Sequence, residues 1–555
     1  MKLKRRWLSF SAAGLVTVAL FAGGNAPLQG APRGETVYPT TRSVTPVVGG
    51  GDLSSGHALP PAVRERKYEL LLERRAELAA RQTFPVPDSS GEQAGHPTEV
   101  GTAKTRVHGN VNEFVIGRNN ENTLADDAGV GSALAEPSAA NDGVQVFYTG
   151  NTFASFSING GSTWTKVAIP AGPASSPAPC CDQEVLYDQG RAITLWSVLY
   201  ARDFDADDDF DNGNIRIIVR REIPAANSCS YVIDPDGAND NVLPDFPHMA
   251  VSDNFLYLAT NEITNGTNAQ VAKVRRFNLD NITDCVTAAT QTFSFGEGVL
   301  GGPRVFRPIE GAHATMYFGA LVNTTTFRLF RWPETALAGG VVAQNFTLAN
   351  ASVFGDATCA GGTNNTDYWD DLASDETGFT VVGAVGADRI TFLWDSKDGG
   401  THTQGHIHGI VIKESNLTKV SEPVIFNNDF CFGFPTLSTN ERGNLGLSAV
   451  FGGDKDVGTE DPPTGFVGID DDKTTGFANF QTVLVAAGTH GPNNLRWGDY
   501  FTVHPHEPCD LFWVATNYAL NGGTGTANVD AKYVEFGRGR DRRCYIGWRD
   551  ETRIP

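Results

Sequence analysis

This 555-residue sequence lacks the signatures of several large protein classes. After an apolar stretch at about residues 12–22, no run is long and apolar enough to span a bilayer. No CxxC motif occurs, which argues against zinc-ribbon and thioredoxin-type sites. GxSxG and HExxH are also absent, so α/β-hydrolase and zinc-protease chemistry has no local support. We therefore expect neither a membrane span nor one of these enzyme types.

Positive charge is also scarce, because 64 acidic residues face 43 basic ones and give a formal net charge of −21. An acidic chain is repelled by nucleic acid and by anionic membranes, so we expect neither as a partner. The charge suits neutral or cationic ligands or Ca²⁺, although solubility alone also explains it.

The chain begins with basic residues, an apolar stretch and small residues, an order typical of a secretory signal peptide. We predict a signal peptide at 1–25, and hence a secreted or periplasmic protein. Residues 26–106 read as a flexible tether, with an amphipathic helix at about 62–82 that caps the main domain, acts as a pro-segment or meets a partner. The main domain covers 107–543, and residues 544–555 form a C-terminal tail.

The main domain consists of short runs of β-forming residues separated by Gly, Asn, Asp and Pro, which predicts an all-β fold. Similar short stretches recur seven times, at intervals of about 46 to 67 residues, and each interval holds about four strands. The equivalent positions are Pro137, Gln183, Pro247, Pro303, Asp370, Pro435 and Gly498. This pattern predicts a seven-bladed β-propeller; six blades remain possible because two of the starts match loosely. Residues 111–117 are expected to supply the outer strand of the last blade and close the ring.

One turn carries a more specific signal. Residues 157–164 read Ser-Ile-Asn-Gly-Gly-Ser-Thr-Trp, in which Ser157, Asn159 and Thr163 can hold a Gly-rich hairpin while Trp164 packs beneath it. The stretch resembles the Asp-box, S-x-D-x-G-x-T-W, of the secreted bacterial sialidase-like (BNR-repeat) propellers, with Asn159 at the usual Asp. A degenerate second copy covers residues 396–402.

The resemblance implies a propeller scaffold. Asp-boxes lie at the periphery of blades in that superfamily, so they indicate fold and not chemistry. Residues 306–309 read Phe-Arg-Pro-Ile, which departs in order and position from the FRIP motif of true sialidases. No sialidase catalytic residue is therefore assigned, and true sialidase activity is not expected.

Residues near the starts of the inner strands converge around the channel of a propeller. The catalytic candidates there are Asp182, Asp370, Asp371, Asp499 and Tyr500. The ligand-binding candidates are Glu136, Gln183, His248, Arg304, Trp369, Arg496 and Trp497. Carboxylates, arginine and aromatic faces suit a glycan, and paired carboxylates can cleave a glycosidic bond. The alternative is that these groups satisfy strand ends and bridge blades.

Two further clusters could hold metal. Alternating carboxylates at Asp203, Asp205, Asp207, Asp209 and Asp211 resemble a Ca²⁺ loop without matching the EF-hand order, and a solvated acidic loop is the alternative. His402, His406 and His408 have metal-capable spacing, but the flanking glycines also fit a loop at a strand edge. Structural Ca²⁺ is the one cofactor that we consider.

The even cysteine count in an exported chain favours disulfides. Local pairing around single blades predicts Cys229–Cys285, Cys359–Cys431 and Cys509–Cys544. The adjacent Cys180 and Cys181 are then left to form a vicinal disulfide.

Taken together, these features predict an exported propeller that recognises an extracellular carbohydrate at the central channel, with hydrolysis by a carbohydrate-active enzyme left open. The competing hypothesis is a non-catalytic surface or scaffold propeller that binds protein.

Overall fold

The computed structural model describes residues 42–44, 46–47, 113–126, 135–143, 145–172, 178–201, 213–221, 229–235, 241–264, 269–295, 306–352, 359–361, 366–368, 381–397, 399, 402–427, 430–454, 462–471, 480–492, 497–498, 501–507, 510–522 and 529–541. The predicted signal peptide, the 62–82 helix and the C-terminal tail lie outside these ranges. Within them, no helix has the length and apolar character needed to cross a membrane.

Seven antiparallel sheets follow one another along the chain and form the blades of a seven-bladed β-propeller, which confirms the predicted fold class. Three strands precede the first blade: β1 (Arg42–Val44), β2 (Pro46–Val47) and β3 (Phe114–Glu121). A 3-10 turn at Thr123–Asp126 follows β3.

The first three blades are regular. Blade 1 contains β4 (Ser138–Asn141), β5 (Val146–Thr149), β6 (Ala154–Ser157) and β7 (Thr165–Val167). Blade 2 contains β8 (Ala178–Asp188), β9 (Ile193–Ala201), β10 (Gly213–Arg220) and β11 (Cys229–Ile233). Blade 3 contains β12 (Val242–Val251), β13 (Phe255–Thr264), β14 (Ala269–Asn278), the helix α1 (Leu279–Thr283) and β15 (Ala288–Phe295).

The remaining blades vary more. Blade 4 contains β16 (Thr315–Asn323), β17 (Thr326–Pro333), a 3-10 turn (Ala338–Gly340) and β18 (Val342–Thr347). A two-stranded insertion, β19 (Ala360–Gly361) and β20 (Thr366–Asp367), precedes blade 5, which contains β21 (Val382–Gly386), β22 (Arg389–Ser396), β23 (His406–Lys413), β24 (Thr418–Ser421) and β25 (Val424–Ile425). Blade 6 contains β26 (Phe430–Thr439), β27 (Leu445–Asp454), β28 (Thr464–Asp470) and β29 (Gln481–Ala486). Blade 7 contains β30 (Val503–Pro505), β31 (Trp513–Leu520), β32 (Val529–Arg538) and a 3-10 turn (Gly539–Asp541).

The ring is closed by a strand from the N-terminal side of the chain. β3 pairs antiparallel with β32, so Phe114 lies opposite Arg538 and Glu121 lies opposite Lys532. Within the described part of the predicted closing segment, residues 114–117 therefore lie in the outer strand of blade 7, as expected. This pairing joins the two ends of the propeller and leaves no open edge on β32.

Two N-terminal strands lie where a flexible tether was predicted. β1 pairs with β15 of blade 3, and β2 pairs with β11 of blade 2, each as an added outermost strand. At these residues the backbone hydrogen-bonds to the propeller, which differs from our expectation of a tether. The reason is that both blades present an open outer edge, and such an edge pairs readily with an extended segment.

The hairpin turn at residues 157–164 has the predicted hydrogen bonds. Ser157 Oγ accepts from Gly161 N–H at 2.8 Å, and Asn159 Oδ1 accepts from Thr163 N–H at 2.9 Å. Trp164 packs edge-on against Tyr148 and Tyr533, and its indole N–H donates to the Glu121 carbonyl at 2.9 Å. Because Tyr533 and Glu121 belong to blade 7 and its closing strand, the turn also fastens blade 1 to blade 7.

Two predicted disulfides are confirmed. Cys229–Cys285 links the outer strand of blade 2 to blade 3, and Cys359–Cys431 links the insertion to the beginning of β26. Cys181 is also disulfide-bonded, but the side chain of Cys180 lies outside the described structure, so their pairing stays a prediction. Cys509 and Cys544 also lie outside it.

The inner strand of blade 5 begins later than the repeat suggested. We expected a start at Asp370, whereas the inner strand is β21, Val382–Gly386. The preceding insertion packs elsewhere, because its Tyr368 contacts Phe434, within β26 of blade 6, and Trp497, which precedes β30 of blade 7. The inner strands expected in blades 1, 2, 3, 6 and 7 are present.

Candidate functional site

The inner strands of the seven blades run side by side around a central channel. We call the end of the channel where these strands begin the entry face, and the end where they finish the exit face. A cavity of about 440 Å³ lies at the exit face, and we call it the channel mouth. Every blade contributes to it, through Asn141, Tyr187, Val251, Glu310, Gly386, Thr439 and His504 among others.

The channel mouth is acidic. Its carboxylates are Glu310, Glu441, Glu507 and Asp510. Two histidines, His313 and His504, also line the mouth. None of the described lining residues is lysine or arginine. Asn141, Tyr187, Gln189, Thr439 and Asn440 add neutral polar side chains. The mouth therefore offers many hydrogen-bonding groups and a negative potential.

Segments at the exit face position the carboxylates: Glu310 lies before β16, and the other three lie in loops after the inner strands of blades 6 and 7. Glu310 is fixed by its backbone, which donates to Gly383 and accepts from Val385 in blade 5. The loops of blades 6 and 7 are joined because Glu441 N–H donates to the Asp510 carbonyl at 2.8 Å. Asp510 has a φ of 45°, a region that Asp and Asn tolerate better than most residues.

Glu507 connects the mouth to blades 1 and 2. Its N–H donates to Asn141 Oδ1 at 2.8 Å, and its carboxylate accepts from Gln189 Nε2 at 3.2 Å. These bonds connect blades 1, 2 and 7 at the rim, so the mouth is a pre-formed cavity.

Deeper in the channel the space narrows to a cavity of about 40 Å³, which we call the channel waist. Its charged and titratable lining residues are Glu184, His248, Arg307, Glu310 and His504. A cavity of this size holds about two or three water molecules. Glu310 and His504 line both the waist and the mouth, so the two spaces share these residues.

Glu184 is the buried acid of the waist. Burial raises its pKa to about 8, against the opposing effects of the Met249 N–H bond and of the positive charges on His504 and Arg307. Its carboxyl accepts from Met249 N–H and lies 3.5 Å from His248 Nδ1. Glu184 is therefore largely protonated at neutral pH.

The two histidines of the waist differ in protonation. Burial and the nearby Arg307 charge lower the pKa of His248 well below its usual value. Burial also opposes protonation of His504, but the Glu310 carboxylate, 3.5 Å from His504 Nδ1, outweighs it and raises that pKa. In the waist, burial thus favours the neutral forms of Glu184 and His248, whereas the neighbouring Glu310 favours the charged form of His504.

Among the predicted ligand contacts, His248 lies in the channel, but two others are structural. Gln183 is buried, donates to the Gly150 carbonyl at 2.8 Å and accepts from the Trp196 indole N–H. Trp497 is 0% exposed and stacks on Tyr518 at 4.5 Å, so it is a core residue. Gln183 and Trp497 therefore support the blades, which was the alternative given for groups near the strand starts.

Glu136 and Asp182 lie at the entry face and are also mostly buried. Asp182 has a φ of 48°, and its N–H donates to Asn151 Oδ1 at 2.9 Å. Glu136 has a φ of 41° and packs against Gly498 of blade 7, where a Cβ would lie 2.8 Å from Glu136 Cγ. These two residues join neighbouring blades.

Several predicted residues lie outside the described structure. They are Arg304, Trp369, Asp370, Asp371, Arg496, Asp499, Tyr500 and the carboxylates Asp203, Asp205, Asp207, Asp209 and Asp211. Their roles remain predictions.

The histidine cluster is engaged within the protein. His406 Nδ1 lies 3.1 Å from the Gln404 carbonyl, and His408 Nδ1 lies 3.0 Å from Ser352 Oγ. Burial lowers the pKa of each to about 4. Across the described ranges, no group of three His, Cys, Asp or Glu side chains is arranged to hold a metal ion.

The residues of the mouth were not predicted, because only the beginnings of the inner strands were considered. A usable signal was present: the ends of these strands and the loops after them carry polar residues, such as Asn141, Gln189 and Asn440. In a ring, these ends converge as closely as the beginnings do.

Comparisons with known proteins return distant likenesses. No model of a protein family matches the chain, and no curated protein matches it. The chain resembles a structure from a study of two prolyl endopeptidases, with 10% identity, a TM-score of 0.35, and coverage of 72% of this chain and 50% of that one.

Two carbohydrate-acting enzymes are similarly distant. The Hadza microbial sialidase Hz136 is 10% identical, with a TM-score of 0.36 and coverage of 58% of this chain and 65% of that one. An exo-β-1,3-galactanase from Phanerochaete chrysosporium is 10% identical, with a TM-score of 0.27 and coverage of 77% and 97%. The chain thus spans less than two thirds of the prolyl endopeptidase and of the sialidase. At these values the likenesses assign no activity, and the propeller fold rests on the seven sheets themselves.

Proposed function

We propose that this protein is an extracellular propeller that binds carbohydrate in the channel mouth. The supporting observation is the mouth itself: a pre-formed cavity of about 440 Å³ surrounded by carboxylate, amide, hydroxyl and imidazole groups from five of the seven blades. Its volume lies within the range of small-molecule sites, and sugars are recognised by many convergent hydrogen bonds. Tyr187 supplies an aromatic ring in the same wall.

Recognition fits this geometry better than hydrolysis. Cleavage of a glycosidic bond needs an acid and a second carboxylate on either side of that bond. The buried acid Glu184 has a suitable raised pKa, of about 8, but it lies in the waist, where about 40 Å³ is available. A sugar ring in the mouth therefore reaches Glu310 and not Glu184.

Binding to an array of extracellular glycans, followed by calorimetry with the best ligand, tests this proposal. Glu310→Gln keeps the size of the side chain but removes its charge, and we expect it to weaken binding about tenfold, or roughly 1.4 kcal/mol. Glu113→Gln makes the same change just before the outer strand β3 and should leave binding unchanged.

Two results would count against the proposal. Failure of the folded wild-type protein to bind any glycan would favour the scaffold hypothesis. Equal loss of binding in Glu310→Gln and Glu113→Gln would place the binding site away from the channel mouth. Thermal unfolding of each variant checks that the fold is intact.

A further inference from the structure

We propose that the channel mouth selects a carbohydrate carrying a protonated amine over neutral and acidic carbohydrates. This inference rests on the proposed function and narrows it to a substrate class, amino sugars with a free amine. The supporting features are the charge of the lining, the position of one buried histidine, and the arrangement of carboxylates at the rim.

The first feature is the one-sided charge of the lining. Glu310, Glu441, Glu507 and Asp510 face a cavity whose described lining contains no lysine or arginine. An ammonium group there gains attraction from several carboxylates. An acidic sugar would instead place its carboxylate among like charges, which is unfavourable in a partly enclosed space.

The second feature is His504, which is independent of the acidic rim. The residue is only 7% exposed and lines both the mouth and the waist. Its Nδ1 lies 3.5 Å from Glu310 Oε1, and its ring also hydrogen-bonds to the Val185 backbone. The imidazole is therefore held in place between the inner strand of blade 2 and Glu310. Glu310 and His504 form the inner end of the mouth.

The third feature is that the carboxylates lie at different depths in the channel mouth. Glu310 lies at the inner end of the mouth beside His504, whereas Glu441 and Asp510 lie on loops at the rim. The backbone bond from Glu441 N–H to the Asp510 carbonyl holds the two rim loops together. Sugar hydroxyls can therefore pair with the inner groups while an amine pairs with the rim carboxylates.

The test compares carbohydrate trimers of positive, neutral and negative charge. Isothermal calorimetry at about pH 6, where an amine of ordinary pKa is protonated, would use a trimer of β-1,4-linked glucosamine and its fully N-acetylated form. A uronic acid trimer supplies the opposite charge. We expect the amine trimer to bind at least tenfold more tightly than the N-acetylated trimer, and the uronic acid trimer to bind weakest.

The protein side of the test removes rim charge without changing side-chain size. In the double variant Glu441→Gln/Asp510→Asn, Asn still tolerates the positive φ of position 510. We expect the preference for the amine trimer over its N-acetylated form to fall to less than threefold. Glu113→Gln, away from the channel, should keep the full preference.

The possible failures are distinct. If the N-acetylated trimer binds as tightly as the amine trimer, the inference is wrong and the proposed function stands. If none of the trimers binds and the glycan array is also blank, the proposed function itself fails. If the double variant retains the full preference, the amine is not recognised by the rim, and the inference is wrong.

Discussion

At the scale of single residues, the turn at 157–164 shows how a local pattern predicts local structure. Ser157, Asn159 and Thr163 are close in sequence, so their hydrogen bonds could be predicted from spacing alone. The contact of Trp164 with Tyr533 could not, because that partner is more than 350 residues away and is placed by closure of the ring.

We predict that Asn159→Ala destabilises the protein by about 1–2 kcal/mol, because the Thr163 N–H and the Ser157 hydroxyl lose their acceptor. Asn159→Asp keeps that acceptor, and the Thr163 hydroxyl, which accepts from Asn159 Nδ2, can donate to the carboxylate instead, so its cost should be below about 0.5 kcal/mol. Denaturant unfolding of the three proteins measures the difference. Equal destabilisation by both substitutions would show that the acceptor oxygen does not stabilise the turn.

A second residue-scale prediction concerns pH. The pKa of Glu184 is raised from 4.5 to about 8 in the folded state, so the folded protein binds more protons than the unfolded chain between these values. Its contribution to stability is therefore present at low pH and is lost as the pH rises toward 8.

Glu184→Gln mimics the protonated acid and should remove this loss. We expect the free energy of unfolding of the wild type to fall by up to about 4 kcal/mol more than that of Glu184→Gln between about pH 5 and pH 8. The charge of Glu184 also raises the pKa of His504, so the difference between the two profiles reports Glu184 together with its coupling to His504. Parallel pH profiles would contradict a raised pKa at this position.

At the scale of elements, the sequence predicted most inner strands but located the start of blade 5 incorrectly. β-forming runs and turn residues mark β8, β12 and β26 directly. The sequence of the insertion before β21 resembles a blade start. Its packing against blades 6 and 7 depends on residues distant in sequence, which a local pattern does not predict. β1 and β2 were missed for the same reason, because edge pairing is decided by the partner strand.

The closing strand β3 provides a test at this scale. Deleting residues 114–121 exposes the edge of β32 and removes the partner of the Trp164 indole, so we expect loss of cooperative unfolding and aggregation. Deleting residues 1–47 removes β1 and β2 but leaves the ring closed. That truncated protein should still unfold in a single transition, at a lower temperature, by circular dichroism. A cooperative, monomeric protein without β3 would show that closure is dispensable.

At the scale of the whole molecule, the sequence predicted the ring but not the position of its cavity along the channel. Knowing that seven inner strands converge does not show which end is open. At the entry face, Tyr368 and Trp497 pack together with Phe434, while the described cavity lies at the exit face. Which end of the channel is open depends on the way in which the long loops fold over the strand ends. This is a property of the complete fold.

The strand β3 also bears on how this protein reaches its folded state. Phe114 is made more than 400 residues before its partner Arg538. The strands β1 and β2 likewise emerge before the edges of blades 3 and 2 with which they pair. Contacts so distant in sequence slow folding, so the nascent chain carries unpaired strands until these partners have been made. A chain truncated between blade 1 and β32 would therefore expose unpaired strand edges and aggregate, and it would not form a smaller closed propeller.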